Sequence, residues 1–320
     1  MANKQIHTLM DDIREVLKNT TKGTVDPVAL KDFYDSSGMA LMRAIESPDR
    51  APRPKDTVYA SELRDVEVCP RKVWYKIHHP EDFEDLTPQT RVKFLYGDMT
   101  EALALFLAAQ AGHEVTDIQG ECGLNFADLT IRGRMDCKID GNVVDVKSCS
   151  AYAFKKMTDP NYDWSSDPFA YHRQLQFYDG AQKERLGESR APYLLLLEKQ
   201  SGDMALVAVP SYHSHPASTV FELSSVYVKA RDIWQLSRAP DIGENALKIC
   251  DETFVGDEPA TNGNRKLKTY CSYCGVKHRC FADAGIVIQG YAYANGPVWL
   301  TKINKEPKAE IPRIKNPYAF

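Results

Sequence analysis

Apolar residues recur at helical spacing near the start of the chain. Ile6, Leu9, Met10, Ile13 and Leu17 fall on one face, so the pattern predicts a surface helix over residues 3–19. A second helical stretch, Pro27–Ile45, runs into Ser47-Pro48-Asp49-Arg50-Ala51-Pro52-Arg53-Pro54, whose prolines can extend neither a helix nor a ladder. That segment reads as a linker and sets a boundary near Lys55. A short helix is expected over Cys69–Ile77 and a longer one over Arg91–Ala111, stopped by Gly112 just past its end. β-branched residues, partial alternation and Gly or Asp-Gly breakers then predict strands at His113–Ile118, Leu129–Ile139 and Asn142–Ser148. A helix over Tyr171–Gln182 and strands at Tyr193–Leu197 and Ala205–Val209 complete the middle of the chain. This order predicts an α/β (α+β) core, a mixed central sheet flanked by helices. Beyond Ser214, helices reaching about Ser237 and Asp251 lead to a polar loop, Gly256–Lys268, a cysteine cluster and an extended Lys- and Pro-rich tail.

Bulk properties narrow the classes. With 320 residues, 43% of them hydrophobic, the chain can bury one large core or two modest ones. The longest apolar run, Ala102–Ala109, falls far short of a bilayer, and Met1–Asp12 carries acidic residues where a signal peptide would be apolar. No membrane association is expected, and the location expected is cytoplasmic, bacterial or that of a host if the protein is phage-encoded. Lys and Arg total 40 against 44 Asp and Glu, so nothing draws a polyanion to the molecule as a whole, and any nucleic-acid contact must be local. Neither a P-loop nor a dinucleotide fingerprint is present, which removes nucleotide kinases and hydride transferases. Eight cysteines in a cytosolic chain point to metal or catalytic use rather than disulfides. Cys122, Cys137, Cys149 and Cys250 are scattered, whereas the other four follow a pattern.

The segment Ile131–Lys147 reads as a β-hairpin, because Asp140-Gly141 favours a two-residue turn that matches strand twist. Counting from that turn pairs Ile139 with Asn142 and Cys137 with Val144, and sets Asp136 opposite Asp145. Like charges placed so require a compensating cation. Lys147, two residues after Asp145, shares its face of the strand. Two carboxylates offer hard oxygens suited to Mg²⁺ or Mn²⁺, and the lysine can orient or deprotonate a water. Taken alone, the pattern equally fits an exposed hairpin with solvated charges. Two further pairs flank it: Gly97 and Glu101, four apart on a predicted helix, and Gln174 and Tyr178, four apart on another.

Together, Gly97-Asp-Met-Thr-Glu101, Gly133-Arg-Met-Asp136, Asp145-Val-Lys147 and Gln174-Leu-Gln-Phe-Tyr178 resemble, in this order, the RecB-like branch of the PD-(D/E)XK nuclease superfamily. The resemblance spans roughly Ser61–Ala282. It implies a restriction-endonuclease-like core and metal-dependent hydrolysis of DNA. Asp136, Asp145 and the Val146 carbonyl would hold one or two Mg or Mn ions, with Glu101 completing the shell. Lys147 would place the attacking water, while Gln174 and Tyr178 would position the substrate strand and hold the lysine region. Arg71, Lys72 and Arg134 are candidates for phosphate contacts, and Trp74 or Tyr75 for base stacking.

Cys271-x-x-Cys274, five residues and then Cys280 form a soft-ligand set that suits zinc or an iron–sulfur centre. Cys69, in Cys69-Pro-Arg-Lys-Val-Trp-Tyr75, is similar to the lone upstream cysteine of iron–sulfur members of the same branch, among them the CRISPR-associated adaptation nuclease and phage exonucleases. That resemblance implies a 4Fe-4S cluster on Cys69, Cys271, Cys274 and Cys280. The alternative is zinc on Cys271, Cys274, Cys280 and His278. The organisation expected is an N-terminal helical extension (1–54), a nuclease domain closed by the cluster (55–285) and a C-terminal tail (286–320). The protein is thus expected to be a single-strand-acting or end-dependent DNA exonuclease of phage or bacterial recombination or repair, with DNA and a recombination or replication protein as partners. The rival readings are a catalytically silent DNA-binding scaffold of the same fold and a zinc-stabilised nucleic-acid-binding regulator.

Overall fold

The computed structural model describes residues 4–19, 23–46, 54, 56–164, 167, 170–187, 190–211, 216–236, 257–293, 296–307 and 311–314. The linker at 47–53, the boundary at Lys55 and the helix expected to reach Asp251 lie outside these residues. The helices are α1 (Leu9–Lys18), α2 (Pro27–Glu46), α3 (Leu63–Val68), α4 (Pro70–His78), α5 (Pro88–Gln110), α6 (Ala151–Met157), α7 (Tyr171–Leu186), α8 (Pro216–Gln235), α9 (Thr269–Ser272) and α10 (Lys277–Ala282). The strands are β1 (Thr57–Tyr59), β2 (Val115–Thr116), β3 (Gly120–Phe126), β4 (Leu129–Met135), β5 (Cys137–Ile139), β6 (Asn142–Cys149), β7 (Tyr193–Glu198), β8 (Met204–Ala208), β9 (Asp257–Pro259), β10 (Arg265–Leu267), β11 (Gln289–Tyr293), β12 (Gly296–Lys302) and β13 (Ile311–Ile314). Two compact units divide the chain, one of Met1–Arg64 with Leu86–Tyr227, the other of Asp65–Asp85 with Val228–Phe320.

In the first unit a five-stranded mixed sheet runs β2-β5-β6-β7-β8, with β6 and β7 parallel, and a three-stranded sheet runs β1-β4-β3. This is the mixed sheet with flanking helices that the pattern predicts. Its core joins Ile6, Leu9 and Ile13 to Ala104, Leu105 and Ala108 of α5 and to Ile139, Val144, Val146 and Leu195 of the sheet. The apolar face of α1 thus packs against the core, while Leu17 near its end stays exposed. α2 lies along α5: the Asp26 N–H donates to the Gln110 side chain at 2.8 Å near one end, and Arg43 pairs with Asp98 at 3.6 Å near the other.

Two differences from the expected strands bear on the site. Residues 129–139 are not one strand: β4 belongs to the three-stranded sheet and β5 to the five-stranded one, with Asp136 at the break. β3 was not anticipated because Gly-Glu-Cys-Gly-Leu-Asn-Phe has no β-branched residue, yet it pairs with β4 along its whole length, from Gly120↔Met135 to Phe126↔Leu129. Tertiary pairing outweighs intrinsic preference here.

In the second unit a five-stranded antiparallel sheet runs β13-β11-β12-β10-β9. The polar loop expected at Gly256–Lys268 contains β9 and β10, and the extended tail expected over 286–320 contributes β11, β12 and β13. Gly290 of β11 sits opposite Trp299 of β12, and a Cβ there would fall 2.6 Å from the indole ring. A glycine in a strand thus marks close approach by a large neighbour.

Candidate active site and cysteine cluster

The hairpin forms in the register counted from the sequence, Cys137↔Val144, Lys138↔Val143 and Ile139↔Asn142. Asp140 (φ 50°) and Gly141 (φ 78°) both take the left-handed backbone that a type I′ turn needs. His113 braces this turn: its Nδ1 lies 2.7 Å from Asp140 and its Nε2 3.1 Å from Asp12 of α1. Past Cys137 the count no longer describes a ladder. Asp136 leaves the strand, and its Oδ2 accepts from the Val146 N–H at 2.8 Å instead of pairing across from Asp145.

Lys147 and Asp145 share one face of β6, with Lys147 Nζ 2.6 Å from Asp145 Oδ2 and 3.8 Å from Asp136 Oδ2. The ammonium also donates to the Val146 carbonyl at 3.4 Å and lies over the Tyr171 ring, 5.5 Å from its centre. Asp145 is 2% exposed, and its Oδ1 has no hydrogen-bond or ion-pair partner among the described residues. Burial pushes the Asp145 carboxyl up to about 6; Lys147 pulls it down and the charge of Asp136 pushes it further up. For Lys147 burial works against the charge, but Asp145 and Asp136 outweigh it, so the ammonium is held above its usual range. Lys147 is therefore a donor and a counter-charge in this arrangement, not a group ready to take a proton.

Glu101 projects from α5 toward the same place. Burial, with Asp136 second, pushes its carboxyl up to about 8. Gln119 donates to Glu101 Oε1 at 2.5 Å, and its backbone N–H donates to the Asp136 carbonyl at 2.8 Å. The sequence reading missed Gln119 and Tyr171. Gln119 stands in a turn just before a strand that carries no strand signal, and Tyr171 lies three residues before Gln174 at the start of α7. Gly97, one turn before Glu101, has open space where a Cβ would stand.

Gln174 and Tyr178 act on the backbone near the site rather than on the lysine. Gln174 donates to the Tyr178 hydroxyl at 2.7 Å, which donates to the Arg134 carbonyl at 2.8 Å, two residues before Asp136. Gly133 explains how α7 comes so close to β4: an added Cβ would lie 2.5 Å from the Tyr178 ring, 2.9 Å from Phe177 and 3.0 Å from Ala60.

Within the second unit, Cys69, Cys271, Cys274 and Cys280 line one small pocket, together with Lys72, Tyr270, Val276, Lys277 and Phe281. Burial pushes the Cys271 thiol up to about 12, and burial likewise raises Cys274 and Cys280; the charge of Cys69 adds to the rise in all three. His278 is not among the lining residues: its Nε2 lies 2.9 Å from Glu84, and its ring stands edge-on to Trp299. Arg71 and Lys72, expected as phosphate contacts, serve this region. The buried Arg71 guanidinium donates to the Cys280 carbonyl at 3.0 Å, and Lys72 pairs with Asp65 at 2.9 Å. Tyr75 is buried against Cys274, Val276 and Cys280, and Trp74 packs beside it, which accounts for the aromatics after Cys69 without base stacking. Arg134 is exposed on β4 in the first unit. A further group, His79, Glu81 and Asp82, brings its ligand atoms within 4.8 Å of one another, with Arg279 already 3.7 Å from Asp82.

The sequence matches the family model of the PD-(D/E)XK nuclease superfamily over residues 28–281. The chain belongs to that superfamily: it is a nuclease-type hydrolase of a class that acts on nucleic acid and typically works with divalent metals such as Mg²⁺ or Mn²⁺. Among solved structures it is similar to the protein SSO0001 (TM-score 0.38, 17% identity, 64% of this chain and 87% of that one). It is also similar to a candidate exonuclease from Eubacterium rectale (TM-score 0.34, 13% identity, 82% of this chain and 97% of that one). No curated protein matches the chain. Among the described residues, no helix is long and apolar enough to cross a membrane.

Proposed function

We propose that this chain is a Mg²⁺- or Mn²⁺-dependent DNA exonuclease that acts on single strands or from DNA ends, with its reaction centre at Asp136, Asp145 and Lys147. The observation that carries this reading is the buried Asp145 Oδ1, a hard oxygen without a partner among the described residues, beside a second carboxylate and a fixed ammonium. Asp136 and Asp145 share one lysine, with the acidic Glu101 crowded beside them, an accumulation of acidic groups that a divalent cation would relieve. Asp136, Asp145 and the Val146 carbonyl would hold the ion, with Glu101 alongside. A bound ion of this kind polarises the scissile phosphate and makes the attacking water more acidic. Lys147 donates to that water or to a phosphate oxygen and offsets the charge that develops there. Gln174 and Tyr178 hold the end of β4 that delivers Asp136.

The four cysteines fit a 4Fe-4S cluster by the chemistry of their donors: three buried thiols and the half-buried Cys69, grouped around one pocket, become thiolates only with strong compensation, which iron supplies. The role is structural. Cys69 belongs to one segment of the second unit and Cys271, Cys274 and Cys280 to the other, so ligation ties two segments some two hundred residues apart. His278, turned to Glu84, does not favour the zinc alternative. The nuclease domain on this reading runs over 55–285 between the helical extension and the C-terminal segment, and the setting is bacterial or phage recombination or repair.

The test is digestion of end-labelled linear and circular DNA, single- and double-stranded, with Mg²⁺ or Mn²⁺. Progressive loss of the linear substrates with survival of the circles is expected. Equal cleavage of both would replace exonuclease with endonuclease, and no cleavage of either would remove the enzyme reading.

A further inference from the structure

Between β2 and β3 the chain turns through Asp117-Ile118-Gln119-Gly120, and this turn meets the candidate metal site twice. Asp117 (φ 49°) and Gln119 (φ 53°) both take the left-handed backbone, a costly region for residues other than glycine, found where the surroundings enforce it. Three contacts enforce it here. The Gly120 N–H donates to the Asp117 carbonyl at 2.9 Å, the Lys138 ammonium pairs with Asp117 at 2.7 Å, and the Gln119 N–H donates to the Asp136 carbonyl at 2.8 Å. A Cβ on Gly120 would stand 2.8 Å from the Asp117 carbonyl oxygen, so the turn closes only around glycine. Held in this way, the Gln119 amide donates to Glu101 Oε1 at 2.5 Å. One side chain and its own backbone thus grip a carboxylate from α5 and the main chain of an aspartate at the edge of two sheets.

We propose that Gln119 is a positioning residue that sets the geometry of the metal site and its choice of ion; this rests on the metal-site reading above. By engaging Oε1, the amide would favour coordination through the other Glu101 oxygen and hold the carboxylate as a single-oxygen ligand. Small octahedral ions, Mg²⁺ and Mn²⁺, suit such a ligand, whereas Ca²⁺ takes more oxygens and readily accepts both from one carboxylate. Without the amide, Glu101 can rotate, and the site loses both its affinity for the small ions and its preference for them.

The experiment is direct binding of Mn²⁺ and of Ca²⁺ to the full-length protein without DNA, compared with the Mn²⁺ dependence of cleavage. Gln119→Gly keeps the backbone donor and takes the left-handed conformation without strain, so it should fold as well as the parent. Gln119→Asn also tolerates that conformation but is one methylene too short to reach Glu101. Both variants should weaken Mn²⁺ binding about 10- to 100-fold, the scale on which lost support of a ligand is felt. Ca²⁺ binding should weaken less, narrowing the Mn²⁺ to Ca²⁺ ratio, and cleavage should recover at high Mn²⁺. Unchanged Mn²⁺ affinity in either folded variant, or an equal loss for both ions, overturns the proposal. Asp145→Asn is the control. If it loses Mn²⁺ while Gln119→Gly does not, only the role of Gln119 fails; if the parent protein binds no Mn²⁺, the metal-site reading fails with it.

Discussion

The two chemically distinctive regions of this molecule are built in opposite ways. The carboxylate site of the first unit is assembled from sheet register: a tight hairpin, a strand break at Asp136 and the alternation of β6 bring charged groups together, and Lys147 neutralises part of their charge before any ion arrives. The cysteine pocket of the second unit joins a residue at position 69 to three near position 275, and the lysines that line it, Lys72 and Lys277, are already paired with Asp65 and Glu84. Hard oxygens from a sheet and a neighbouring helix suit a site that must stay accessible to substrate, whereas soft sulfurs drawn from two distant segments suit a staple. Damage to the first should therefore abolish chemistry and spare the fold. Damage to the second should do the reverse.

The largest effect expected is from Asp145→Asn, which keeps the shape of a buried side chain while removing its charge. Cleavage should fall by roughly 10³-fold or more, the scale of losing a principal stabiliser of the transition state, with little change in thermal unfolding. Lys147→Ala is a less clean probe, because it leaves the Asp145 charge buried and unpaired, a loss of about 3–5 kcal/mol in comparable pairs. Full activity in Asp145→Asn would break the comparison at its first term.

Next comes Cys271→Ala. The purified protein should lose the visible absorption of thiolate–iron bonding and unfold or aggregate at lower temperature, since binding energy at a structural metal site is folding energy. A coloured, stable variant would show that the cavity is not a metal staple.

Gly133→Ala should be smaller but still clear. The added methyl meets Tyr178 and Phe177 at less than contact distance, so overpacking of about 1–3 kcal/mol is expected in denaturant unfolding, with activity reduced as β4 shifts. Unchanged stability with alanine would count against a tight approach of α7 to β4.

The last effect is a pH dependence. Glu101 is pushed up to about 8 in the folded protein, so between its ordinary range near 4.5 and pH 8 the folded state holds a proton that the unfolded state has released. Stability of the metal-free protein should then fall as pH rises through that window. Glu101→Gln should remove this part of the slope, and saturating Mn²⁺ should flatten it in the parent. Denaturant midpoints between pH 5 and 8, with Mn²⁺ and with a chelator, measure both; a parent slope equal to that of Glu101→Gln would count against a buried, proton-holding Glu101.

Much of this molecule could be read from local pattern. Asp140-Gly141 dictated the hairpin turn, the alternation of β6 put Asp145 and Lys147 on one face, and helical periodicity located α1, α2, α5 and α7, because each of these follows from a few neighbouring residues. Other features are decided only when distant segments meet. Asp136 leaves its ladder because β4 and β5 belong to different sheets; β3 exists because β4 pairs with it; Tyr178 finds the Arg134 carbonyl because Gly133 lets a helix come close. Gln119 has no motif at all, and what marks it is a left-handed turn held by Lys138 and Asp136. Sequence specifies short-range geometry and the types of ligand present, while partners fixed by burial and by pairing across the chain depend on which surfaces the fold brings into contact.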